Sequence, residues 1–203
     1  DNGVVSLLLR ERGGSWASGD LTEQAVGSIR SLVGEDVHLV RGDRLPFPDA
    51  SFDRVAVVDM LEHVPDEAAF ASELARVTRP GGLLVVNTPH LKRTLLRRLR
   101  HAIGQTDEKH GHLRPGYTAE RLRELLAPGF ALERHRTYSR FFSEAVDIAL
   151  NWGMERLGKK SSAKGMVVTG DDLARHRKTF RAYTAIYPVV WALTRLDVLV
   201  PAS

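Results

Sequence analysis

The chain has no cysteine. That excludes disulfides and thiolate metal sites, and it is compatible with a reducing compartment. It also lacks any uninterrupted apolar run of the roughly 20 residues needed to cross a bilayer. The strongest candidate, Ile186 to Val200, is broken by Arg195 and Asp197. No signal peptide, internal repeat or low-complexity tract is visible. No recognised RNA- or DNA-binding motif is present either, so nucleic acid is not an expected partner.

What remains is an ordinary soluble composition with an uneven charge. The chain has 203 residues, 43% hydrophobic and 27% charged, enough to bury a sizeable core. Residues 1–90 carry 8 Lys/Arg against 14 Asp/Glu, while residues 91–203 carry 21 against 11. The first part is therefore acidic by 6 and the second basic by 10. Such an asymmetry points to two jobs: an acidic part suited to a cationic ligand and a basic part suited to an anionic one. Solvated helix surface accounts for such charge equally well.

Hydrophobic patterning alternates helices and strands. Helices are expected at Val4–Glu11, Glu23–Leu32, Asp66–Val77 and Ala119–Leu126, the last capped by Thr118. Strands are expected at Ser15–Gly19, Val37–Val40, Arg54–Met60, Leu83–Asn87 and Phe130–Thr137. The runs Val55-Ala56-Val57-Val58 and Leu83-Leu84-Val85-Val86 are continuous rather than alternating, as in strands covered on both faces. The expected fold class is therefore α/β, an open and mostly parallel sheet.

One ordered stretch, Gly42 to Pro89, narrows this. An acidic turn at Gly42-Asp43 leads to Leu45-Pro46-Phe47, and Ser51-Phe52-Asp53 opens a strand ending at Leu61-Glu62-His63. A helix follows, and Pro80-Gly81-Gly82 turns the chain into a second strand. This order resembles the second half of the class I S-adenosylmethionine-dependent methyltransferases, in their small-molecule (methyltransferase type 11-like) branch. Upstream, Asp1-Asn2-Gly3, the helix after it and the strand running into Asp20 resemble the end of the cofactor turn, its helix and the ribose-binding acid. The family's first, central strand has no counterpart in the sequence, which opens without a Met. The expectation is a Rossmann-like doubly wound sheet, N-terminally truncated through its first motif, with extra C-terminal helices.

The resemblance implies S-adenosylmethionine as cofactor, and the residues suit it. In open α/β sheets ligands sit beyond the C-terminal strand ends. There Asp20 offers a paired acceptor for vicinal ribose hydroxyls, with Leu21 against the adenine face. Asp43 offers an acceptor for the adenine amine, with the Arg44 backbone beside it. Asp59, Met60 and Leu61 end the next strand, where carbonyls suit the methionine ammonium. Asp1 and Gly3 belong to the cofactor turn, Gly3 allowing close backbone approach. Each acid also has an ordinary explanation as a helix cap or turn residue.

Methyl transfer needs alignment more than side-chain chemistry. A base is required where the acceptor must lose a proton, and His63, His110 and His112 are the candidates. A zinc reading of Glu108, His110 and His112 lacks a third or fourth ligand at convincing spacing, so no metal is expected.

Two segments exceed the shared core. Leu91 to Ile103 carries Leu91, Leu95, Leu96, Leu99 and Ile103 at helical spacing, flanked by Lys92, Arg93, Arg97, Arg98 and Arg100. Phe141–Leu157 and Asp171–Ala185 read as helices, and Ile186–Val200 is strongly apolar. The expected organisation is a methyltransferase core over residues 1–140, including the basic helix and lid segment at 91–117, and a helical extension over 141–203. The extension either closes over the substrate, the preferred reading, or rests on an anionic membrane. The expected function is methyl transfer to a small-molecule, lipid or lipid-linked acceptor in the cytoplasm, with peripheral membrane contact as a further expectation. A non-catalytic methyltransferase-like module and a nicotinamide-dependent oxidoreductase are the alternatives.

Overall fold

The structure is a computed structural model, and it describes residues 3–41, 44–91, 95–104, 113–138, 141–156 and 187–199. The chain divides into two compact units, Asp1–Leu91 with Thr106–His135, and Lys92–Gln105 with Arg136–Ser203.

The first unit alternates helix and strand much as the patterning requires. Helix α1 (Val4–Arg10) precedes strand β1 (Ser18–Asp20), and α2 (Glu23–Val33) precedes β2 (Val37–Leu39). Thr22 starts α2 by accepting a hydrogen bond from the Ala25 N–H at 3.2 Å, satisfying a donor that the first helical turn leaves open. Val26 and Ile29 lie on one face of α2 and pack with Val37 into a small core. β1 and β2 pair in parallel, Ser18 opposite Val37 and Asp20 opposite Leu39.

The larger half of this unit begins with β3 (Phe52–Val58). A 3-10 turn (Leu61–His63), α3 (Glu67–Val77) and β4 (Thr78–Asn87) complete a parallel strand–helix–strand unit. Asp66 caps α3 by accepting from the Ala68 and Ala69 N–H groups. Phe70, Ala71, Leu74 and Val77 form its buried stripe. They pack with Val57, Leu61, Val64, Tyr117 and Leu125, the last from α5 (Ala119–Leu126). Thr118 caps α5 through the Arg121 N–H at 3.2 Å.

The Pro80-Gly81-Gly82 turn sits inside the span of β4. Phe52 pairs with Thr78 and Arg54 with Leu83, so the residues between Thr78 and Leu83 bulge opposite Asp53. Gly82 has no room for a side chain: a Cβ there would lie 2.7 Å from Thr78 Cγ2 and 2.9 Å from the Asp53 carbonyl oxygen. The bulge fixes register, because a slip of one residue would exchange the two faces of the strand.

Two features differ from expectation. The parallel strands form two separate ladders, β1–β2 and β3–β4, among the described residues. No strand joins them. Instead Phe47 stacks edge-on against His38 at 5.0 Å and Phe52 at 4.9 Å, and Val40 joins the larger core. Residues 130–137, expected as a strand, form no ladder. Ala131 to Arg136 is exposed throughout. Its charged residues Glu133, Arg134 and Arg136 offer no apolar face, and the backbone meets no partner edge to pair with.

The second unit contains α4 (Leu95–Ala102), α6 (Phe142–Arg156), a helical stretch at residues 187–195 and a 3-10 turn (Leu196–Leu199). Asp197, 7% exposed, accepts from the Phe142 N–H at 2.7 Å, the Ser143 N–H at 3.1 Å and the Ser143 hydroxyl. It thereby caps α6 from far along the chain. The Arg195 guanidinium lies 3.9 Å above the Trp191 ring. No helix among the described residues is long and apolar enough to cross a membrane. The helix expected at Asp171–Ala185 lies outside the described residues.

Candidate active site

The expected site residues fall into three groups. Asp1, Asp43, His110 and His112 lie outside the described residues. Asp20, Leu21, Gly3 and Arg44 lie around the smaller ladder and the loop after it. Asp59, Met60, Leu61 and His63 lie together just beyond β3.

Asp20 is the last residue of β1, where the strand hands over to α2. Its carbonyl accepts from the Val40 N–H at 2.9 Å, and its Oδ1 accepts from the Thr22 N–H at 3.3 Å. The side chain thus makes a local turn contact through one oxygen. Leu21 is half-buried against the larger core. Gly3 precedes α1 with φ 89°, and a Cβ there would lie 2.9 Å from Ile29 Cα. Only glycine combines that left-handed backbone with so close an approach to α2. Arg44 is exposed, bridged through its backbone to Arg41. The neighbouring Leu45 N–H donates to Glu73 at 2.8 Å. Arg76 then clamps the following loop, donating to the Leu45 and Phe47 carbonyls and pairing with Glu73 and Asp49. Hydrogen bonding to Arg76 holds the Glu73 carboxyl below its usual range.

The end of β3 is the more elaborate place. Asp59 has φ 46°, a left-handed backbone that a residue with a Cβ adopts at a cost. Paired contacts with β4 hold it there: the Asp59 N–H donates to the Asn87 carbonyl at 3.0 Å, and the Asn87 amide donates to Asp59 Oδ1 at 3.0 Å. The kink re-aims the chain into the 3-10 turn, so that Leu61, 1% exposed, enters the core while Met60 is half-buried. His63 is half-buried in the same turn.

The turn's middle residue, Glu62, was not among the sequence candidates, yet it is 1% exposed. Its Oε2 accepts from the Thr88 hydroxyl at 3.2 Å, and its backbone carbonyl accepts from the Leu113 N–H at 3.0 Å. Burial, with Asp59 nearby, raises its carboxyl above the ordinary value.

Below this turn runs an ionic network. Glu67 receives the Tyr117 hydroxyl at 2.9 Å, Arg114 at 3.2 Å and Arg121. Burial alone would raise Glu67, but these hydrogen bonds and charges hold it low. Tyr117, buried and hydrogen-bonded to Glu67, is pushed up and stays a neutral donor. The network fixes the loop before α5 against the start of α3. Among the described residues no group of His, Asp and Glu is arranged to hold a metal ion.

A carboxylate ends the smaller ladder, and a strained Asp stands one residue past β3 with its oxygen tethered to β4. Against protein-family models, residues 2–86 match a methyltransferase domain. Residues 2–86, less than half of the chain, are similar to that domain. The family uses S-adenosylmethionine. The chain is 43% identical over 85 residues to a demethylmenaquinone methyltransferase of Mycobacterium sp. (strain KMS), taking in 41% of this chain and 36% of that protein. The match thus spans little more than a third of the relative's length. A shorter stretch of 42 residues is 60% identical to a 2-methyl-6-phytyl-1,4-hydroquinone methyltransferase of Synechocystis, covering 21% of this chain and 13% of that one.

Solved structures agree on the fold. An S-adenosylmethionine-dependent methyltransferase from Thermotoga maritima superposes with a TM-score of 0.50 at 20% identity, covering 63% of this chain and 58% of its own. The [4+2]-cyclase SpnF superposes at 0.55 and 22%, covering 87% and 66%. That a cyclase shares the fold shows why the chemistry has to be argued from the site.

Proposed function

We propose that the methyltransferase domain transfers the methyl group of S-adenosylmethionine to a small, largely apolar acceptor of the hydroquinone class. The observation that carries this reading is the end of β3, where Asp59 is held left-handed beside Asn87. Strain kept in place by two tethers is a common mark of a ligand site. S-adenosylmethionine supplies a methyl on a sulfonium, already a good leaving group. The chain's own residues have to hold and align. Asp20 accepts from the ribose hydroxyls, with Leu21 beside the adenine. Asp43 and the Arg44 backbone serve the adenine edge. Asp59, Met60 and Leu61 serve the methionine ammonium, with Asp1 and Gly3 completing the cofactor turn. Where the acceptor must lose a proton, His63, His110 and His112 are the candidate bases.

The named substrates of the two relatives, a demethylmenaquinone and a phytyl hydroquinone, support a ring acceptor with an apolar tail. The second unit carries exposed aromatic, apolar and basic residues of its own. There Leu99 is exposed beside Arg98 and His101 on α4, Trp152 is exposed on α6, and Tyr187 and Trp191 are exposed on the stretch that also carries Arg195. Such a mix suits a lipid-linked acceptor or an anionic membrane surface.

The cofactor assignment is tested by calorimetric titration of the full-length protein with S-adenosylhomocysteine. Losing a charged hydrogen bond costs about 1.5–3 kcal/mol, so Asp20→Ala should weaken binding by about one to two orders of magnitude. Unchanged affinity would remove Asp20 from the site. Vesicle flotation tests the surface reading, which predicts co-flotation with anionic but not neutral liposomes at low salt.

A further inference from the structure

A glutamate as buried as Glu62 is normally paired or fully hydrogen-bonded. Here Oε2 has the Thr88 hydroxyl, while Oε1 has no hydrogen-bond partner among the described residues. A buried acceptor left open destabilises a fold unless a ligand completes it. The position is specific. Glu62 is three residues beyond the strained Asp59; Leu61 just before it and Val64 two residues after it are both in the core. Its backbone and side chain together tie the end of β3 to Thr88 and to Leu113.

We propose that Glu62 Oε1 is the hydrogen-bond acceptor for an uncharged O–H or N–H of the methyl acceptor, carried on an apolar body. The donor requirement follows from the open acceptor oxygen. The apolar body follows from Leu61 and Val64, which flank Glu62 in the chain and are both buried. An anionic acceptor is disfavoured because Asp59 already stands near Glu62, a repulsion that His63 offsets in part. Burial raises the proton affinity of the Glu62 carboxyl, which strengthens its hold on a shared proton. Glu62 thereby selects the acceptor, whereas Asp20 and Asp59 serve the cofactor. The inference rests on the methyltransferase reading.

The test is calorimetric titration of the full-length protein, saturated with S-adenosylhomocysteine, with 1,4-dihydroxynaphthalene and with 1,4-dimethoxynaphthalene. The wild type should prefer the diol by about ten-fold, the value of one hydrogen bond to a buried carboxyl. Glu62→Leu should lose that preference while keeping its affinity for S-adenosylhomocysteine. Glu62→Gln, nearly isosteric and still offering a carbonyl, should retain part of it and keeps the question decidable if the Leu variant fails to fold. An equal preference for the diol in wild type and Glu62→Leu, or no binding of the diol to the wild type, would overturn the role of Glu62. Failure of the wild type to bind S-adenosylhomocysteine would overturn the methyltransferase reading itself.

Discussion

The two ladders of the first unit are built from the same plan and differ in what covers them. β1–β2 is short and rests on α2 through Val26, Ile29 and Val37. β3–β4 is longer and rests on α3 and α5 through a core that runs from Val57 to Leu125. The longer ladder is nevertheless covered on one face. Val57, Leu84 and Val86 are packed against the core, whereas Leu83 and Val85 on the opposite face are 43% and 54% exposed. Parallel sheets are ordinarily covered on both faces. Strand-forming sequence therefore sets which residues pair, and the connecting helices set how much each pair is worth.

The largest effect that could break this comparison comes from the core of the longer ladder. Leu74 is 2% exposed between α3 and the sheet, so Leu74→Ala should cost about 2–5 kcal/mol in urea unfolding. Ile29→Ala should cost less. Its cluster is smaller and ringed by half-buried Val33 and Leu39, which can close the cavity. Equal losses would mean that the smaller cluster closes its cavity no better than the larger core does.

A middle-sized effect separates the polar ties. Glu67→Gln should cost about 1.5–3 kcal/mol at neutral pH, the range for hydrogen bonds to a charged group. The lower end is expected, because Arg121 is 54% exposed. The loss has a defined pH window. Glu67 is held low in the fold, so its contribution is present above the unfolded carboxylate value and fades as pH falls through its folded one. Glu62 runs the other way. Its value is raised, so stability is retained at low pH and lost as pH climbs from the unfolded value through the folded one. Glu62→Gln should therefore be more favourable, relative to wild type, at pH 7 than at pH 4. Unfolding curves at those two pH values check both signs.

The smallest expected effects sharpen the comparison. Thr22 and Asp66 cap α2 and α3, and replacing either by Ala should cost about 1 kcal/mol. Similar losses would show that capping is indifferent to the size of the core beneath. A markedly larger loss for Thr22→Ala would show that the smaller ladder depends more on its helix start.

Much of the fold was legible because it is local. Thr118 and Asp66 stand before apolar stripes at helical spacing, and both cap the helices they were expected to open. The strand runs of valine and leucine pair in parallel, but the cover on both faces that their continuity implies is present on one face only. What the sequence did not reveal depends on distant partners. The split of the sheet turns on which strands meet. The left-handed Asp59 exists because Asn87, 28 residues away, holds it. Glu62 was passed over in favour of His63 because the search for a base turned to histidine, which titrates near neutral pH. Its burial comes from Thr88 and Leu113, which no local pattern connects to it. The expected strand at 130–137 failed for the converse reason: its propensity met no edge.

Asp197 bears on when the second unit can form. Its carboxylate serves the first N–H groups of α6 from 55 residues downstream. During synthesis those amides leave the ribosome well before the residue that satisfies them. At ~5–20 residues per second, the wait is about 3–11 s, far longer than a helix needs to form or melt. Through that interval α6 is a frayed helix with its polar start open to water. The synthesis of Asp197, rather than the helix's own sequence, sets its beginning.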